Sequence, residues 1–154
     1  MKTHCSKKVN LGLIGLIVYL FTLSIYAANL SPQGSWLTID DVTKKPRSIV
    51  KITENNGHLY GNITKVYYRK GEGPNDVCEK CSGARKNQKF LGMNILWGMK
   101  KTGKYSWSGG KILDPENGKT YKCIVTLSQD GQQLNVRGYI GISLLGRTQM
   151  WIRQ

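Results

Sequence analysis

Histidine is almost missing from this chain, with two in 154 residues, and nine acidic residues face 23 lysines and arginines. Once the first 28 residues are set aside, only His58 remains, so neither a His-rich metal site nor a Ser-His-Asp relay can be assembled around more than one imidazole. The few adjacent carboxylates, Asp40 with Asp41 and Asp114 with Glu116, lie beside turn signals, where Asp ordinarily hydrogen-bonds its own backbone. No run of a dozen residues carries an apolar stripe of helical period. That excludes a recognition helix and, with no RRM-like aromatic signature, argues against a nucleic-acid partner. Gly71-Glu72-Gly73 and Gly109-Gly110 match no phosphate-loop pattern ahead of a helix and read as turns or bulges. No catalytic constellation, metal site or cofactor motif is present, and a non-enzymatic protein is expected.

What is there begins with an address. Lys2, Lys7 and Lys8 precede an uncharged run from Leu11 to Tyr26, followed by Ala27 and Ala28, small residues of the kind a signal peptidase requires. Residues 1–28 are therefore expected to be a cleaved signal peptide, cut after Ala27 or Ala28. An uncleaved anchor is the alternative, but the run falls just short of the roughly 17 to 25 residues that span a bilayer and no stop-transfer cluster follows. Export places the protein in the periplasm or outside the cell, with no integral membrane segment after cleavage. Residues 29–154 are long enough for one domain with a real core. Three cations leave with the leader and every acid stays, so a net charge of +14 becomes +11. Anionic lipid headgroups, lipopolysaccharide or acidic glycans are the partners such a charge would attract.

Within residues 29–154 the pattern is of short β runs divided by Gly, Asn, Asp and Pro. They cover residues 34–39, 49–54, 58–68, 94–99, 104–113, 119–128, 133–140 and 147–153. Asn55-Asn56-Gly57 and Asp114-Pro115-Glu116-Asn117-Gly118 have the residues that tight turns need. Eight runs joined mainly by hairpins predict an all-β, up-and-down antiparallel barrel, since closure removes exposed edges. Alternation places Tyr121, Cys123, Val125 and Leu127 on one inward face, and Leu134, Val136, Gly138 and Ile140 on the next. One long polar connection, 69–91, interrupts the meander and carries Cys78 and Cys81.

The Cys78-x-x-Cys81 spacing occurs in redox centres and metal sites, yet here no helix N-terminus is present to stabilise a thiolate. In an oxidising compartment it reads as a loop-fastening disulfide. A four-residue loop gains roughly 2 kcal/mol by chain entropy, against about 4 for a bridge to Cys123 across more than 40 residues. Entropy favours the long bridge, but Cys123 faces inward on a strand while the pair lies in a loop. The short bridge is expected, with Cys123 a small buried hydrophobe.

Two resemblances add to this reading. Gly34-Ser35-Trp36 at the first strand and Trp151-Ile152-Arg153 at the last resemble the arrangement of lipocalin-type (calycin-like) barrels, in which a late Arg stacks on the opening Trp. Over nearly all of residues 29–154, longer motifs resemble domain-of-unknown-function family 2147, a family of small exported bacterial proteins. They are Asp76-Val77-Cys78-Glu79-Lys80-Cys81, the stretch from Gly109 to Cys123 that includes Asp114, Pro115, Gly118 and Tyr121, then Arg137-Gly138-Tyr139-Ile140-Gly141, and Gly146 to Arg153. The resemblance implies a small exported β domain and brings no activity with it.

Two functions remain open. A barrel of this size can enclose one small apolar or amphipathic ligand, with Trp107, Arg137 and Tyr139 as candidates to grip an acidic headgroup at the mouth. Alternatively the barrel is filled, and the basic, disulfide-pinned loop docks on an envelope partner or an anionic surface. In that case removing the loop would spare any ligand binding and abolish docking.

Overall fold

The computed structural model describes residues 31–154; the leader and Cys5 lie outside the described residues. Eight strands are present: β1 Gly34–Ile39, β2 Pro46–Asn55, β3 His58–Val66, β4 Asn94–Lys101, β5 Ser106–Asp114, β6 Lys119–Leu127, β7 Gln133–Tyr139 and β8 Arg147–Arg153. Each pairs antiparallel with the next, and β1 pairs with β8 at Trp36↔Arg153 and Leu37↔Ile152, closing the barrel. The expected eight runs are all found, the main shift being that β2 starts three residues earlier, at Pro46.

An up-and-down course sends alternate connections to opposite ends. The tight turns at Asn56-Gly57, 102–105 and 128–132 gather at one end with the chain terminus. The connections 40–45, 67–93, 115–118 and 140–146 gather at the other. Asn56 and Gly57 both take positive φ, as the hairpin signal requires.

The first end is closed by the pair that the lipocalin-like motif contains. The Arg153 guanidinium stacks 4.3 Å from the centre of the Trp36 ring. It also donates to the carbonyls of Gly131, Gln33 and Ser31 at 2.5, 3.0 and 2.7 Å. Trp36 Nε1 donates to Pro32 O at 2.9 Å. Gly34 sits at φ 131, a backbone conformation that favours glycine, and a Cβ there would press on the Arg153 guanidinium at 2.9 Å.

Read from the closed end upward, inward side chains follow a gradient. They run Trp36 and Thr38 on β1, then Asp40 just past its end; Ile52, Val50, Ser48 on β2; Leu134, Val136, Gly138 on β7; and Trp151, Gln149, Arg147 on β8. Below, Trp36, Leu59, Met99, Trp107, Val125, Leu127 and Leu134 fill the interior with almost no exposure. Outward positions carry Lys51, Asn62, Thr64, Lys111 and Lys122. This is the reverse of a lipid-facing barrel. No helix among the described residues is long and apolar enough to cross a membrane.

Ile140 departs from the expected inward set. β7 ends at Tyr139, so alternation no longer governs Ile140, which is 67% exposed on the rim.

Candidate functional site

The gradient ends in a cavity of about 470 Å³ in the upper half of the barrel. Its walls are Ile63, Val66, Ile95, Ile112, Leu113 and Val136, with Trp151 toward the filled half. Phe90 from the long connection and Ile140 with Leu145 from the β7–β8 connection border it above. Gly138 keeps it open: a Cβ there would touch Ile112 Cγ2 and Tyr121 Cβ at 3.4 Å, and anything larger would fill the space.

Polar groups form a ring at the mouth and are mutually satisfied. Thr38 Oγ1 and Ser48 Oγ lie 2.8 Å apart, and Ser48 N donates to Thr38 Oγ1 at 3.0 Å. Asp40, almost wholly buried, accepts from the amides of Val42 and Thr43 at 2.9 and 2.7 Å and pairs with Arg69. Asp41 pairs with Arg147 and accepts from Gln149 Nε2 at 2.7 Å, which fastens the β1–β2 connection to β8. No buried side-chain nitrogen or oxygen among the described residues lacks a partner.

Across the mouth, Arg47 joins the long connection to the β5–β6 turn. It donates to Glu72 at 2.6 and 3.1 Å and to Glu116 at 2.9 Å. Arg69 also reaches Glu116, at 2.7 Å. Partial burial pushes the Glu72 and Glu116 carboxyls up, but their hydrogen bonds to the arginines outweigh it and hold both below the usual 4.5. The same bonds raise the Arg47 guanidinium above its ordinary range against the opposing effect of burial.

The cysteine pair is Cys78–Cys81, with Cα atoms 5.4 Å apart, and Cys123 is free and buried. Burial pushes the Cys123 thiol up to about 12. The bridge is built into the core rather than left at the surface of the connection. Both sulfurs belong to the buried cluster, and Cys78 Sγ lies 3.3 Å from the Pro115 carbonyl oxygen. Gly118, at φ 71, has the Lys80 carbonyl where its Cβ would be, so the disulfide loop lies directly on the β5–β6 turn. Asp114 organises that turn, accepting from Glu116 N and Asn117 Nδ2 at 2.9 Å each, and Asn117 Nδ2 also donates to Tyr121 Oη at 3.1 Å.

Of the three candidate ligand residues, Tyr139 lines the cavity and the other two do not. Trp107 stands near the start of β5, at the closed end, and is packed in the filled core. Arg137 follows inward Val136 and so points out of the barrel, where it donates to the carbonyls of Ser143 and Leu144 at 2.8 and 3.0 Å and to Thr148 Oγ1 at 2.8 Å. Of the residues read as structural signature, Asp114, Pro115, Tyr121, Gly138 and Trp151 line the cavity. Gly141, at φ 72, turns the rim after Ile140. Sequence reading passed over Thr38, Ser48 and Gln149, whose signal was a polar residue at an inward position of an otherwise apolar alternation. Among the described residues no group of three His, Cys, Asp or Glu side chains is placed to hold a metal ion.

Comparison with known proteins adds the following. A family model described as an uncharacterized protein conserved in bacteria (DUF2147) matches residues 34–153. No curated protein matches the sequence. A solved structure described as protein HP1028 from the human pathogen Helicobacter pylori, belonging to the lipocalin family, is similar at 25% identity and a TM-score of 0.69. The match covers 80% of this chain and 83% of that one.

Proposed function

The chain belongs to DUF2147, a family of uncharacterized proteins conserved in bacteria, and from that premise we propose that it is an exported, non-enzymatic protein that holds one small apolar or amphipathic molecule in the upper half of its barrel. The observation that carries this reading is the cavity of about 470 Å³, apolar below and ringed by polar groups above. Its volume is within the range of ordinary ligand sites. The lipocalin-like fold supports it. The gradient from Trp151 through Gln149 to Arg147 orients the ligand, its apolar end down and its polar end at the rim beside Tyr139. An acidic headgroup would meet Arg147, which projects from the mouth and shares its charge with Asp41 alone.

The test is binding of an anionic, environment-sensitive naphthalene dye, together with native mass spectra of protein exported from the full-length gene. The wild type is expected to enhance dye emission or retain a lipid-like mass. Gly138→Leu, which fills the cavity, should weaken dye binding by roughly tenfold or more while leaving the far-ultraviolet spectrum unchanged. Equal dye binding by the two proteins would remove the cavity from consideration.

A further inference from the structure

The rim carries large aliphatic side chains; Val42, Ile140 and Leu145 border the cavity mouth, whereas Ile142 and Leu144 stand outside its lining. Val42, Ile140, Ile142, Leu144 and Leu145 are 90, 67, 61, 81 and 80% exposed. They come from two neighbouring connections, β1–β2 and β7–β8, which the Asp41–Arg147 ion pair and the Gln149 to Asp41 hydrogen bond fasten together. Outside the barrel, Arg137 holds the carbonyls of Ser143 and Leu144. The backbone of the Ile140–Leu145 segment is thus partly satisfied from behind while its aliphatic side chains face solvent. Large exposed aliphatic side chains gathered on one rim mark an interaction site.

Charge at the same end decides the partner. Three of its arginines already pair with its carboxylates: Arg69 with Asp40, Arg147 with Asp41, and Arg47 and Arg69 with Glu72 and Glu116. Asp76 and Asp114 accept from turn amides, leaving Glu79 as the remaining carboxylate. Lys44, Lys45, Lys70, Lys80 and Lys119 are exposed and make no ion pair among the described residues. We propose that the open end docks on an anionic phospholipid bilayer, with Val42 and the Ile140–Leu145 segment entering the headgroup region and the lysines meeting lipid phosphates. An apolar tip within a cationic surround is the combination that binds such interfaces. A second copy placed tip to tip would set Lys44 and Lys45 against their own counterparts.

The docking does not depend on the cavity, so its failure can be told from failure of the ligand reading. Protein made from the full-length gene is sedimented with vesicles of phosphatidylcholine containing phosphatidylglycerol, and with vesicles of phosphatidylcholine alone. Strong retention is expected on the anionic vesicles, unchanged in Gly138→Leu. Ile142→Asn with Leu144→Asn, both outside the cavity lining, should lower the partition coefficient by roughly tenfold or more. Lys44→Gln with Lys45→Gln should lower it by roughly fivefold per charge, with weaker salt dependence. In Leu144→Trp, emission from the introduced indole should shift to the blue on anionic vesicles. The proposal fails if that indole stays in water, or if the double Asn variant binds like wild type, as it would were an uncleaved leader responsible. It fails equally if sedimentation velocity shows a wild-type dimer that the double Asn variant dissolves while vesicles bind neither.

Discussion

Arg153 shows how one side chain closes a barrel. Its planar head supplies three carbonyl bonds at fixed angles and still presents a face to Trp36, which a lysine cannot do. Arg153→Ala is expected to cost about 2 to 4 kcal/mol in urea unfolding, from the lost charged hydrogen bonds and the lost ring contact. Arg153→Lys should recover less than half of that; full recovery would mean that charge alone matters. Cys123 makes a complementary point. With its thiol pushed up to about 12 by burial, it is protonated at neutral pH and shielded from reagents. Iodoacetamide should leave the folded protein unmodified and add one group when the unreduced protein is denatured. A second group would belong to Cys5 and would show that the leader had been kept. Rapid labelling of the native protein would instead place the thiol at the surface.

At the scale of elements, the long connection and the β5–β6 turn form one unit. Lys80 and Cys81 rest on Gly118, and Arg47 and Arg69 hold Glu72 and Glu116 together across the mouth. Phe90 of the connection lines the cavity. Removing residues 69–91 therefore cannot leave a ligand site intact, contrary to the expectation that loop and cavity are separable. Gly118→Ala is expected to lower stability by about 1 to 3 kcal/mol, from positive φ and the clash with Lys80, and to expose the disulfide to mild reductant. Resistance of the bridge in this variant would show that the loop is held by other contacts. The meander itself was legible from residues: the turns at Asn55-Asn56-Gly57 and 114–118 and the alternation of β6 and β7 lie in neighbouring positions of the chain. The same alternation implied that Arg137 faces outward, as the neighbour of inward Val136. What it does not encode is height along the barrel. Trp107 and Tyr139 belong to opposite ends, and only tracing strand directions through the whole meander separates them. The pairing of Glu72 with Arg47, or of Asp41 with Arg147, joins residues 25 and 106 positions apart and leaves no local trace.

For the whole molecule, the consequence is an uneven distribution of stability. The lower half is packed solid around Trp36, Trp107 and Leu134, while the upper half surrounds the cavity and is held by ion pairs across connections. The two halves should answer acid differently. Glu72 and Glu116 are held below 4.5, so the stabilisation they provide is fully present above the unfolded value and is lost as the pH falls through their folded values. The Glu116 side chain is half exposed and that of Glu72 about a quarter, and solvent screens part of each attraction. Protonation should therefore release the mouth without melting the closed end, whose Trp36–Arg153 clamp contains no carboxylate. Below pH 4.5, with rates corrected for the intrinsic pH dependence of exchange, amides of residues 67–93 and 115–118 are expected to lose protection while amides of β6 and β7 near Leu127 and Leu134 keep it. Glu72→Gln with Glu116→Gln should produce the same opening already at neutral pH and remove most of its acid dependence. A uniform loss of protection around the barrel would show that the mouth and the closed end unfold as one, and that the arginine network contributes to global rather than local stability.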